Sequence, residues 1–269
     1  MDTTFEHLTA TLGEDGVAVV KLNRPEVRNA VNRTLHRELT VLPTIVTDDP
    51  VVKVLVISGE GQSFCAGGDF SAAEGWADAD YHQHQEGRRL VENFLGLEKP
   101  VIAAVRGNAL GLGASIALLC DVVVVGPSTR IGDPHVRLGI APGDGGALLW
   151  PLHMGPTRAK WYLMSGESIS GRDIVDEGLA TFFVDSDDEV LDHAVSRART
   201  LAAGAQQAIA GAKGAVNQYL RFASTLVMPF AMAAEAGTLA SPDHREAAQA
   251  FLEKRQPVFG RGQRVEDPS

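Results

Sequence analysis

The stretch Lys99-Pro100-Val101-Ile102-Ala103-Ala104-Val105-Arg106-Gly107-Asn108-Ala109-Leu110-Gly111-Leu112-Gly113-Ala114-Ser115 decides the fold. Five apolar residues enclosed by a proline and a glycine have the length and punctuation of a buried strand. A glycine-rich turn follows and opens an apolar run from Ala109 to Val125, interrupted by Ser115 and Asp121. That run falls short of the roughly 20 residues that span a bilayer. It reads instead as a buried helix leading into a buried strand. A helix that starts directly after glycines turns its free N–H groups toward negative charge.

The pattern repeats outward from this stretch. Val17–Leu22 is a strand after the Gly13–Gly16 turn, and Val31, Leu35, Leu39 and Leu42 form one helix stripe. Val51–Ile57 is a second strand, residues 71–98 a loop followed by a helix, Val122–Val125 a fourth strand and Leu179–Val184 a short fifth. Strands that are apolar throughout, alternating with helices, predict a sheet buried on both faces in an α/β core over residues 1–186. Residues 187–259 are rich in Ala, Leu, Glu, Arg and Gln and predict a helical C-terminal region, with 260–269 a loose polar tail.

Length and charge narrow the functions. The chain has 269 residues, enough for one large domain, with 24 basic and 34 acidic residues for a net charge of −10. That balance argues against nucleic acid and anionic membranes, both of which select clustered Lys and Arg. Two cysteines, Cys65 and Cys120, are too few for a disulfide scaffold and sit in apolar surroundings, so free, inert thiols in a reducing compartment are expected. Met1-Asp2-Thr3-Thr4 lacks the basic start and apolar run of a signal peptide, and a cytoplasmic protein is expected. His82 and His84 beside Asp78 and Asp80 read as a polar loop in preference to a metal site, and no metal is expected.

A second glycine turn, Phe64-Cys65-Ala66-Gly67-Gly68-Asp69, follows the strand Val51–Ile57. Asp69 is placed to cap a following helix. Two such turns after neighbouring strands can aim two backbone donors at one oxygen, which is an oxyanion hole. Each turn taken alone is equally a tight connection.

Four ordered segments together resemble the crotonase superfamily of enoyl-CoA hydratase/isomerase proteins. They are Asn23–Ala30, Phe64–Asp69, Lys99–Gly107 through Cys120-Asp121, and Phe251–Phe259. The resemblance implies a spiral of ββα units with a helical C-terminal region that drives trimerisation, as a homotrimer or a hexamer built as a dimer of trimers. It implies an acyl-CoA substrate, with coenzyme A part of the substrate and no separate cofactor. It implies that the N–H groups of Ala66 and Leu112 hold an acyl oxygen as it gains charge. The matching segments nominate Arg24, Val27, Arg28, Cys65, Gly67, Asp69, Gly111, Phe251 and Lys254 as residues that contact substrate or CoA.

The departures from the family are specific. Its hydratases use two glutamates, and those positions here are Ser115 and His135. Asp144 lies nine residues after His135, with Gly139, Pro142 and Gly143 between to fold it back. A carboxylate on one imidazole nitrogen would leave the other free to take a proton from water. Asp144 reads equally as a helix cap, and Ser115 as a small packing residue.

The segment His135–Pro151, with Glu235 by position, also resembles the 6-oxocamphor hydrolase branch, in which a His–Asp pair activates water to split a β-diketone. His36 falls near another histidine of that branch. Glu235 reads equally as a solvated helix residue. The sequence therefore supports an acyl-CoA lyase or isomerase in which His135 and Asp144 replace the glutamates, with a carbon–carbon hydrolase or a non-catalytic acyl-CoA-binding protein as alternatives.

Overall fold

A computed structural model of the chain describes residues 4–69 and 81–260. The strands are β1 (Leu8–Leu12), β2 (Val17–Leu22), β3 (Val54–Gly59), β4 (Val101–Val105), β5 (Asn108–Leu110), β6 (Val122–Val125), β7 (Arg130–Gly132), β8 (Ser168–Ser170) and β9 (Phe182–Phe183). Six of them form one sheet in the order β1-β2-β3-β4-β6-β9, antiparallel only at β1–β2. β5, β7 and β8 form a small second sheet. The helices are α1 (Arg33–Asp48), α2 (Tyr81–Gly96), α3 (Leu112–Leu118), α4 (Gly146–Met154), α5 (Pro156–Ser165), α6 (Asp173–Asp176), α7 (Val190–Ala202), α8 (Gln206–Leu239) and α9 (Pro242–Leu252).

The all-apolar strands are explained by burial on both sides of the large sheet. Successive side chains point to opposite faces. Leu55, Ile57, Val101, Ala103 and Val105 therefore join the main core, with Leu35, Leu39, Leu42 and Val46 of α1 and the fully buried Trp150 of α4. Val54, Val56, Ile102, Ala104 and Val124 meet Val190, Ala194, Ala198 and Ala202 of α7 on the other face. Packing on the sheet thus continues past residue 187 into the all-helical part. Leu35, Leu39 and Leu42 of the predicted stripe lie on the buried face of α1, while Val31 precedes the helix and bridges Gly68; the helix is started by Asn32, whose side chain accepts the Leu35 N–H at 2.9 Å.

Several local expectations need correction. β1 exposes three of its five residues, and β5, β7 and β8 have three residues each, so none gave a readable apolar run. The strand expected at Val51–Ile57 begins at Val54. The one expected at Leu179–Val184 shrinks to Phe182–Phe183, because Leu179 turns into the main core while Thr181 and Val184 donate N–H bonds to Val123 and Val125 of β6. The His82/His84 reading and nearly all of the 260–269 tail lie outside the described side chains. The 34-residue α8 is long and apolar enough, by length and composition, to cross a bilayer. Its inner side packs on α2 and α4, while Val216, Tyr219, Phe222, Leu226 and Phe230 are exposed.

Candidate active site

The two glycine turns are stitched together by backbone. Phe64 N–H bonds Arg106 O at 2.7 Å, Cys65 N–H bonds Asn108 O at 2.9 Å, and Leu110 N–H returns to Cys65 O at 3.0 Å. Such an approach leaves no room for side chains. A Cβ on Gly67 (φ +95°) would stand 2.8 Å from Leu110 O, and one on Gly113 would stand 2.5 Å from Cys65 O. Leu112 is the first residue of α3, so its N–H has no partner within the helix.

The Ala66 assignment is corrected. Its N–H is already donated to Arg28 O at 3.0 Å, and Gly67 N–H is turned to the Cys65 sulfur. Asp69 N–H goes to Val31 O at 3.0 Å. The amide of this turn left without an acceptor among the described residues is that of Gly68, which pairs with Leu112 as the candidate oxyanion donor.

Three of the substrate-contact nominations, Arg24, Asp69 and Cys65, are held by other parts of the chain. The Arg24 guanidinium is engaged through Nη1 by Asp69 at 3.0 Å and by the Ala30 carbonyl, which ties both side chains into this loop. Asp69 therefore anchors the 24–31 loop, and the helix it was expected to cap would fall outside the described residues. Cys65 is fully buried, and burial pushes its thiol up to about 12. Arg28 and Val27 stay at the surface of a loop in which Arg28 and Asn29 both adopt left-handed backbone (φ 55° and 56°). Asn29 pins that conformation: its carboxamide donates to Glu60 O and Ser63 O and accepts from Arg24 N–H. Phe251 and Lys254 stand exposed at the end of α9 and share no hydrogen bond or ion pair with the groups described next, among the described residues.

The acid–base groups converge on the second turn. His135 opens a 3-10 turn after β7, and its ring packs against Gly111 (φ +51°), where a Cβ would stand 3.3 Å from Cε1. Its Nδ1 is hydrogen-bonded to Asp133, which is 1% exposed, and its Nε2 faces Asp144 Oδ2 at 3.4 Å. Asp144 Oδ1 accepts the Ser115 hydroxyl at 3.2 Å. Glu235 reaches in from α8 against Gly143, whose missing side chain makes the room.

This arrangement differs from the predicted one. The carboxylate that orients the imidazole is Asp133, two residues upstream, which sequence reasoning missed. Asp144 lies on the far nitrogen, so that nitrogen is not left open to water. Ser115 is a hydrogen-bond donor to Asp144 as well as a packing residue. Asp144 also accepts the backbone N–H of Gly146, the first residue of α4, so it serves the helix start from one position before the N-cap Gly145. His36, fully inside α1, is held down to about 4 by burial and stays outside this cluster.

Charge dictates the protonation of the cluster. Burial alone would push the His135 pKa down; the charges of Asp144 and Asp133, the Asp133 hydrogen bond and Glu235 outweigh it and lift it to about 10. The ring is therefore an imidazolium at neutral pH. Burial, and then the neighbouring Asp133 carboxylate, raise Asp144 against the pull of His135. Burial, followed by Asp144, raises Glu235 to about 7. One imidazolium ringed by three carboxyl groups can hold, donate and retake protons over the neutral range.

Two outcomes follow. A raised imidazole pKa gives stability that is full below its unfolded value of 6.5 and is lost as pH rises through about 10. Asp133→Asn weakens the hold on that proton, so the alkaline fall in kcat and in melting temperature is expected to begin about one pH unit or more lower; a profile superimposable on the wild type overturns this. A raised carboxyl pKa makes Glu235 a cost once it ionises, as pH climbs from 4.5 through about 7. Glu235→Gln is expected to melt above the wild type at pH 8, by about 2–4 °C for each kcal/mol of repulsion relieved, and to match it below pH 5.

Comparison with known proteins agrees with this architecture. The family model described as enoyl-CoA hydratase/isomerase matches residues 13–262. A crotonyl-CoA hydratase of Syntrophomonas wolfei is 34% identical over 248 residues, covering 91% of this chain and 95% of the relative. The crystal structure of an enoyl-CoA hydratase/isomerase from Mycobacterium paratuberculosis superposes with a TM-score of 0.86 at 33% identity, covering 93% of this chain and 99% of that one. A β-diketone hydrolase from the cyanobacterium Anabaena, bound to (S)-3-oxocyclohexyl acetic acid, superposes with a TM-score of 0.80 at 26% identity, covering 87% and 94%. By fold, by the paired glycine turns and by these matches, the chain belongs to the enoyl-CoA hydratase/isomerase family of the crotonase superfamily.

Proposed function

We propose that the protein adds water to an enoyl-CoA thioester, with His135 and Asp144 doing the work of the absent glutamates. The observation that carries this reading is the His135 ring seated on Gly111, one residue before the free Leu112 amide. A thioester oxygen held by the Gly68 and Leu112 amides puts its α carbon beside the imidazolium. Asp144 takes a proton from water as the water oxygen bonds to the β carbon. The π electrons move onto the thioester oxygen, where the two amides stabilise the enolate. His135 then gives its Nε2 proton to the α carbon as the enolate collapses, and the proton on Asp144 passes back to Nε2, separated by 3.4 Å. Coenzyme A enters as part of the substrate.

The test is loss of the enoyl-thioester absorbance across a range of chain lengths. Hydration of at least one substrate is expected; turnover of none overturns the reading. A second reading, cleavage of a β-diketone by water, is favoured by the meeting of His135, Asp144 and Glu235 and by the likeness to the Anabaena hydrolase. Keto acids detected by mass spectrometry from cyclic β-diketones, with enoyl-CoA untouched, would replace the first reading by the second.

The same reading makes the protein a homotrimer or hexamer. The exposed apolar stripe of α8, with Phe251 and Leu252 of α9, supports burial of this surface against other copies of the chain. Free, buried Cys65 and Cys120 support a cytoplasmic location. Light scattering at the mass of a monomer would overturn the assembly.

A further inference from the structure

His135 and Asp144 are joined by Val136-Arg137-Leu138-Gly139-Ile140-Ala141-Pro142-Gly143, with Gly145-Gly146 after them. The glycines at 139, 143, 145 and 146 leave this loop little conformation of its own. The 3-10 turn fixes its first half: Gly139 N–H bonds Val136 O at 3.1 Å and Ile140 N–H bonds His135 O at 3.0 Å. Past Ile140 the loop is held from outside.

The hold comes from the junction of α8 and α9. Thr238 Oγ1 accepts the Ala141 N–H at 2.9 Å, and the next residue, Pro142, has no N–H to offer. Leu138 O stands 2.8 Å from His244 Nδ1, and since a carbonyl only accepts, Nδ1 is the donor. Gly139 lies so close to α9 that a Cβ would stand 2.7 Å from His244 N. Gly143 lies as close to α8, where a Cβ would stand 2.9 Å from Ala231 O. The junction is braced within itself. Ser241 N–H bonds Thr238 O at 2.9 Å, and the Ser241 hydroxyl accepts the His244 N–H at 3.1 Å. The Thr238 hydroxyl is aimed by Ala234 O at 2.9 Å and Glu235 O at 2.8 Å, to which it donates.

We propose that Thr238 and His244 are positioning residues: by gripping the loop, the α8–α9 junction sets the separation between the His135 ring and the Asp144 carboxylate. The proposal rests on the acid–base relay assigned above and adds the two side chains that hold it in register. Neither shares a hydrogen bond or ion pair with the side chains of the relay, among the described residues. The charged groups facing the ring are Asp133 at the end of β7, Asp144 before α4 and Glu235 on α8. Asp133 is bonded to the ring and Glu235 belongs to the helix, so Asp144 is the partner whose place depends on the loop. Proton transfer needs an approach of about 2.6–3.2 Å or one bridging water, and a misplacement of about 1 Å costs as much as 10²-fold in rate.

The test sets a disabling against a conservative substitution at each tie. Thr238→Val keeps the shape and removes the hydroxyl; Thr238→Ser keeps the hydroxyl. His244→Leu removes the ring donor; His244→Asn offers a side-chain N–H of similar reach. NMR titration of the His135 ring in the ligand-free protein reads the relay without turnover. Thr238→Val and His244→Leu are each expected to lower its midpoint, about 10 in the wild type, by about half a pH unit or more as Asp144 draws away. They are expected to lower kcat for the enoyl thioester about tenfold or more. KM is expected to change far less, because the Gly68 and Leu112 amides belong to other turns. Thr238→Ser and His244→Asn are expected to restore both readouts. Melting curves verify each fold, and either pair decides on its own. An unmoved midpoint in folded Thr238→Val or His244→Leu, or a loss that the conservative partner does not restore, overturns the proposal. If the wild type hydrates no enoyl thioester while the midpoint moves as expected, the hydration reading falls and the positioning role stands.

Discussion

His135→Gln is expected to lower kcat for the enoyl thioester by about 10²–10⁴, the range for loss of a positioned proton donor. Gln keeps a polar side chain of similar reach against Gly111 but has no proton to give at neutral pH. Asp144→Asn is expected to fall in the same range, because the proton must leave water through that carboxylate and return to Nε2. The two groups act as one relay, so the double variant is expected to be little worse than either single one. Losing the imidazolium leaves Asp133, Asp144 and Glu235 facing one another, and the melting temperature of His135→Gln is expected to drop above pH 7 even where circular dichroism shows an intact fold. A kcat within threefold of wild type in a folded His135→Gln protein would remove His135 from the chemistry.

Gly113→Ala carries the second large effect. Its Cβ would enter a space bounded by Cys65 O at 2.5 Å, Cys65 Cβ at 2.8 Å and Cys65 Sγ at 2.9 Å. The nearest of these is a backbone oxygen that cannot swing aside, so the two turns must move apart. Overpacking of this kind costs about 1–3 kcal/mol. The movement also separates the Gly68 and Leu112 amides, and loss of one aligned donor costs about 10²–10³ in rate. The expected variant is folded, melts several degrees lower and is nearly inactive, with substrate affinity changed far less than kcat. Full activity at reduced stability would show that the two amides do not share one oxygen.

The sequence was most informative where one physical cause acted alone. Val101–Val105 is apolar throughout because both faces of the sheet are covered, and the glycines at 67, 111 and 113 were legible because close backbone contact excludes side chains. Ala66 was nominated as an oxyanion donor because sequence does not show that its N–H is taken by the carbonyl of Arg28, far away in the chain. Asp133 was in view but unassigned, since a spacing of two residues does not say that a 3-10 turn folds the imidazole back onto it. Glu235 was nominated by resemblance; its entry into the site depends on the course of α8 and on the notch left by Gly143. Arg24 was nominated as a substrate or CoA contact because sequence shows a cation and not the buried Asp69 that pairs with it.

The left-handed pair Arg28–Asn29 has one more implication. The peptide oxygen of Arg28 is the hook from which the 64–69 turn hangs, and Asn29 fastens that hook to the body of the protein. Whatever grips the rim of this loop therefore pulls on the same strap of main chain that aims Gly68. Grip at a distance from the reacting carbons is thereby converted into alignment at the carbonyl, and a truncated substrate would forfeit speed as well as hold.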